Sequence, residues 1–356
     1  MFVLGLVRCT LATSVSRRHI SSFHIDNSAR GKLQPYLGAI KAVSLVAGLV
    51  TVSITGLYLA TNHHLDITYP VPATIRRKET RRLLRGASLR EHIAPNPQVA
   101  YMFLLRALEQ IYADGELAED TPEVQAIIVR LATAASLMGE KAPAQAMLES
   151  AWPHAVRSGD AERICTVAEV LGPLLREARS FDRALEVYGE ALRAGRQMDE
   201  ANSGDAEKQD AIRARVAGLV ASLGETFALK GERDNARLVL EGLLEEIRER
   251  GEGKQVDQWT CLDAVVMLDL AQVAKDAREA RAWANSALER AQRNAGVKAC
   301  DNCHVHGVFQ LGQLLAADGD MEGALRMYKS ALELGRRTGT GNIERIKESI
   351  QQVRPE

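Results

Sequence analysis

The residues best suited to chemistry are Cys300-Asp301-Asn302-Cys303-His304, with His306 two positions further on. Cys-x-x-Cys-His is the attachment signature of c-type haem, since two thiols and an adjacent imidazole suit covalent capture and axial ligation. Two cysteines and a histidine are also three of the four ligands of a tetrahedral zinc site, with Cys261 or Asp301 as the fourth. In an oxidising compartment Cys300 and Cys303 could instead form a disulfide. The plainest reading is a helix start, with two small packing residues and Asp301 and Asn302 as caps. Cys165 and Cys261 lie on apolar faces and read as core.

No other stretch has the pattern of an active site. Gly251-Glu252-Gly253-Lys254 lacks both the spacing of a phosphate loop and the Ser or Thr that follows one. His-Glu-x-x-His and Gly-x-Ser-x-Gly are absent from the sequence. The chain is expected to be a non-enzyme that uses no cofactor and no small-molecule substrate.

The surrounding sequence is organised by a repeated small-residue signature. Leu311-Gly312 is followed by a turn at Asp318-Gly319-Asp320 and then by Ala324, Tyr328 and Ala331 at helical spacing. Leu171-Gly172 precedes Ala184, Tyr188 and Ala191. Leu223-Gly224 precedes Ala236, Leu240 and Leu243. Met267-Leu268 precedes Ala280, Ala284 and Ala287, and Leu131-Ala132 precedes Ala144, Leu148 and Ala151. In all five copies the first Ala lies 12 residues after the pair. This resembles the tetratricopeptide repeat, a helix–turn–helix unit in which small residues let two helices approach. The expected fold is all-α, a tetratricopeptide-repeat solenoid over 97–356, with units at 125–158, 165–198, 217–250, 261–294 and 305–338. Pro173 falls inside the first helix of its unit, where a kink is expected. Ile343–Val353 reads as a polar-faced capping helix.

Charge and hydropathy separate the first residues from this body. The chain has 356 residues and a net charge of −1, but residues 1–90 carry 13 Lys or Arg against three acids. The remainder is acidic, which disfavours nucleic acid as a partner. Residues 1–25 contain no acid and are rich in Arg, Ser and Thr, the composition of a mitochondrial transit peptide. The stretch 37–60 includes an uncharged run from Ala42 to Ala60 and is expected to be one transmembrane helix, with Ser44, Gly48 and Gly56 on one face. Residues 61–96 form a basic connector, whose basic run 76–90 could lie on anionic lipid or lead as a helix into the repeats. Counting positive charge alone would retain the C-terminal side of the span. A cleaved transit peptide followed by a stop-transfer span instead leaves the repeats in the intermembrane space, and that topology is the expectation.

In tetratricopeptide folds the first helices of successive units line a groove for an extended peptide. The resemblance carries this groove onto Glu169 and Arg176, Glu225, Asp269 and Gln272, and Phe309 and Gln313. The order of transit peptide, span, basic connector and acidic repeats resembles the fungal mitochondrial inner-membrane tetratricopeptide adaptor of the i-AAA protease. That resemblance implies recruitment of misfolded membrane or intermembrane-space polypeptides to the protease, so its partners would be the i-AAA protease complex, unfolded substrates and the membrane. Two alternatives are an assembly factor for a respiratory-chain complex and a redox or metal-binding protein using Cys300 and Cys303.

Overall fold

The computed structural model describes residues 27–115, 117–251, 259, 261–339 and 343–353. The expected transit peptide, 1–25, lies outside them. The chain forms two units, Met1–Val71 and Pro72–Glu356.

In the first unit, α1 spans Asn27–Thr68. Val43, Val46, Val50, Val52 and Leu57 on this helix are exposed, and nothing lies near Gly48 or Gly56. Among the described residues no helix is long and apolar enough to cross a membrane. Several side chains inside the expected span, at 42, 44, 45, 49 and 54, are outside the described set.

Among its described residues the second unit consists of helices joined by turns and loops, with no strand. In chain order it contains α2 (Lys78–Ser88), α3 (Pro97–Asp114), α4 (Pro122–Leu137), α5 (Lys141–Ser158), α6 (Ala161–Glu177) and α7 (Phe181–Ala201). There follow α8 (Ala206–Lys230), α9 (Arg233–Gly251), α10 (Leu262–Gln272), α11 (Ala277–Arg293), α12 (Lys298–Ala317), α13 (Met321–Thr338) and α14 (Ile343–Val353). Each helix packs on the next, and α6, α8, α10 and α12 also touch in succession. Consecutive helices therefore form pairs, and the pairs stack through their first helices.

Local chemistry explains the punctuation. Asn96, Asp160, Asp205, Asp276 and Asp320 cap helix starts by accepting the backbone N–H three residues on. Pro97 and Pro122 occupy first-turn positions, where a missing N–H costs nothing. Gly139, Gly231 and Gly319 take positive φ in the turns within pairs, where Arg179 does the same at φ 58°. Pro173 lies inside α6, which runs on through it to Glu177.

The pairs close on small residues. A Cβ on Gly172 would lie 2.2 Å from Tyr188 Cζ, and one on Gly312 would lie 2.6 Å from Tyr328 Cε1. A Cβ on Gly224 would lie 2.6 Å from Leu240 Cδ2. Ala184, Ala236, Ala280 and Ala324 are buried beside these contacts. The methyl-free surface of the first helix thus seats a large side chain of the second, the close packing that gives protein interiors their density.

The basic segment differs from a free connector. α2 packs on α3, with Ile75, Leu84 and Ala87 fully buried and Phe103 Cδ2 3.2 Å from the Cβ position of Gly86. Arg81 donates from Nη1 to the carbonyls of Pro72 (3.0 Å) and Ile75 (3.1 Å), and Arg77 pairs with Asp114. Part of the basic run is therefore spent on closing a further helix pair. Amphipathicity drives this: α2 has apolar residues on one side only, and that side needs cover.

Candidate binding groove

The four first helices α6, α8, α10 and α12 stand side by side, so their outer faces form one continuous surface. A recess of about 450 Å³ opens on it. Glu225 and Leu229 come from α8, Leu268, Asp269 and Gln272 from α10, Phe309 and Gln313 from α12, and Arg345 from α14. Five of the seven groove residues read from the sequence thus meet around one cavity. Arg176 of α6 reaches the same region by pairing with Glu225.

Glu169 is different. Its carboxylate accepts from Arg215 of α8, Nε to Oε1 at 2.5 Å and Nη2 to Oε2 at 3.0 Å, and the same guanidinium donates to Thr166 Oγ1 at 2.7 Å. Glu169 therefore braces α6 against α8 and does not line the recess. Sequence reading missed Asn302, Cys303, His306, Gln310 and Arg345 in its wall. Periodicity on α12 contains a signal for the first four, because they share the face of Phe309 and Gln313. Arg345 comes from the capping helix and gave none.

Phe309 is nearly buried. Its ring centroid lies 5.3 Å from that of Tyr328, tilted by 40°, and the Arg345 guanidinium sits 5.7 Å from it. Gln310 donates Nε2 to the Leu268 carbonyl at 3.1 Å and ties α12 to α10. These contacts fix the floor and leave the recess preformed.

Asp269 is the electrostatic centre of the recess. Its carboxyl is partly buried and has no hydrogen-bond or ion-pair partner among the described residues. Desolvation pushes it up to about 7, and the Arg176 guanidinium only partly opposes this. Nearby carboxylates are treated otherwise: Glu225 is held by Arg176, and Asp263 by Arg290 Nε at 2.6 Å. His306 is held below the ordinary imidazole value by burial and then by Arg345.

The cysteines are arranged differently from the expectation. Cys300 is bridged to Cys261 across 39 residues, with Cα atoms 5.3 Å apart, and not to Cys303. Cys261, read as a core residue, is thus a cross-link that ties the start of α10 to the start of α12. Cys303 is a buried free thiol. Burial, then Asp269 and Asp263, push it up to about 12, so it stays protonated at neutral pH and is a poor metal ligand or nucleophile. Among the described residues no group of three or more His, Cys, Asp or Glu could hold a metal ion. With Cys300 and Cys261 consumed in a disulfide, the haem and zinc readings of the Cys-x-x-Cys-His run lose their ligands.

The fold is a stack of tetratricopeptide-type helix pairs, defined by the packing described above. No known protein family matches the chain, and no curated protein matches it. Among solved structures it is similar to a tetratricopeptide repeat protein from Parabacteroides merdae, at 16% identity and a TM-score of 0.43, covering 78% of this chain and 99% of that one. It is also similar to BtubC from P. vanneervenii, at 17% identity and a TM-score of 0.43, covering 80% and 95%. A third is the Rap conjugation gene regulator of plasmid pLS20 in complex with the Phr* peptide, at 14% identity and a TM-score of 0.42, covering 76% and 71%. Likenesses of this size add no argument about what this chain binds.

Proposed function

We propose that the chain is a membrane-anchored adaptor that binds extended polypeptide segments along α6, α8, α10 and α12. The observation that carries this reading is the preformed recess of about 450 Å³, walled by four different helices, with Asp269, Gln272 and Gln313 among its lining residues. A surface with an apolar floor and a few polar groups suits recognition of an unfolded segment, which supplies both side chains and backbone amides.

The finer reading is recruitment of misfolded membrane or intermembrane-space polypeptides to the i-AAA protease of the mitochondrial inner membrane. Three features support it. The acid-free, Arg-bearing residues 1–25 suit a transit peptide. The uncharged Ala42–Ala60 run, with exposed valines on α1, suits one membrane span. The Cys261–Cys300 disulfide suits an oxidising space. Tethering beside the protease raises effective concentration, so a weak groove suffices.

The test is purification of the full chain from mitochondria in mild detergent, with identification of co-purifying proteins. Recovery of an ATP-dependent membrane protease, lost on deletion of residues 122–353, is the expected outcome. Recovery of respiratory-complex subunits without the protease would replace this reading with an assembly role.

A further inference from the structure

We propose that the recess around Asp269 is a cation pocket that seats one lysine or arginine side chain of the polypeptide lying in the groove. The inference rests on the groove reading and specifies which segments the groove prefers.

Three observations carry it. The first is the contrast among carboxylates. Glu225, Asp263 and Glu169 each hold an arginine of the protein itself, whereas Asp269 has no partner among the described residues. A partly buried carboxylate without a partner is a cost to the fold that an incoming cation would remove.

The second is shape. Leu229, Val265, Leu268 and Phe309 line the same recess as Asp269. Lysine and arginine carry an aliphatic stem that packs on apolar walls and a charged head that seeks a carboxylate. Gln272 and Gln313 supply amide oxygens for the remaining N–H groups of the head.

The third is exclusion of other occupants. The cations of the recess are already engaged, Arg176 with Glu225 and Arg345 over the Phe309 ring. An acidic side chain would meet Asp269 and Glu225 together. An apolar one would bury Asp269 further without compensating its charge. The preference is therefore cationic over apolar over acidic, a discrimination built from repulsion as well as attraction.

The experiment uses the full chain in detergent micelles and a defined unfolded probe, reduced and carboxymethylated ribonuclease A labelled for fluorescence anisotropy. The probe is prepared with its lysines and arginines free, and with its lysines acetylated and its arginines blocked by 1,2-cyclohexanedione. Wild type is expected to bind the free probe at least roughly tenfold more tightly than the blocked one, the scale of losing one partner of a desolvated charge pair. Asp269→Asn is expected to erase that preference. The comparison of free and blocked probes is made on wild-type protein and stands whether or not the variant folds.

Equal binding of both probes by wild type would overturn the cation pocket and leave the groove reading intact. A preference that survives in folded Asp269→Asn would overturn it as well, because the selecting charge would then lie elsewhere. Failure of wild type to bind either probe would overturn the groove reading and the pocket together.

Discussion

Asp269→Asn should stabilise the protein while removing a binding determinant, and the stabilisation should depend on pH in a defined way. The Asp269 carboxyl sits at about 7 in the folded chain, against ~3.9 when unfolded. A shift of ~3 units at ~1.36 kcal/mol each sets a ceiling of ~4 kcal/mol on the destabilisation from its charge, and partial exposure lowers the expected value to ~2–3 kcal/mol. The folded state binds the proton more tightly than the unfolded state. The favourable contribution is therefore complete below the unfolded value, declines as pH rises through the interval between the two, and is gone above the folded value. Asparagine has no such titration. The stability difference between variant and wild type should grow from about pH 4 to about pH 7 and stay constant above that. Urea unfolding followed by circular dichroism at pH 4.5, 6, 7 and 8 would read it. The other charged and titratable groups of the recess are present in both proteins: Arg176 and Glu225, Cys303 and His306, and Arg345. Cys303, which Asp269 helps push up, stays protonated across this pH range. A difference that does not change with pH, or a variant less stable than wild type at pH 8, would refute an uncompensated carboxylate in the recess.

Further outcomes are expected. Gly172→Ala drives a methyl into the Tyr188 ring and should cost about 1–3 kcal/mol by overpacking, less the ~1 kcal/mol that Ala gains in a helix. Gly189→Ala, with nothing within 4 Å of its Cβ, should instead raise the melting midpoint, and equal shifts for the two would refute the close-packing account. Arg179→Gly, at φ 58°, should stabilise by up to ~1 kcal/mol in chemical denaturation, because a left-handed conformation is unstrained only for glycine. The paired change Cys261→Ser with Cys300→Ser removes a cross-link over 39 residues and should cost about 4 kcal/mol on the loop-entropy scale. Non-reducing peptide mapping of wild type should recover Cys261 joined to Cys300, and a Cys300–Cys303 bridge would refute the assignment.

The sequence by itself marked the small-against-large contacts inside helix pairs. Gly172 with Tyr188, Gly224 with Leu240 and Gly312 with Tyr328 are contacts within one helix pair. Their residues are close along the chain, so turn signals and small-residue spacing suffice to align them. The turn at Gly319 is legible for the same reason, and Gly139 and Gly231 take the equivalent positions in their pairs. Five residues of the recess were reached through the tetratricopeptide resemblance, which marks one face of each first helix.

Only the tertiary structure decided how the units engage one another. Nothing in the spacing of Cys261, Cys300 and Cys303 says that the bridge spans two units and leaves the third thiol buried. Glu169 and Glu225 are similar residues on successive first helices. One is consumed by Arg215, and the other remains at the recess with Arg176. Arg345 arrives from the terminal helix, far from the rest of the site in sequence. The physical reason is that a charge or a thiol has many partners within reach of its composition but few within reach of its atoms. The rotation between stacked helix pairs, set by side-chain packing over their whole length, decides which of those few it meets, and it leaves Asp269 without a hydrogen-bond or ion-pair partner among the described residues.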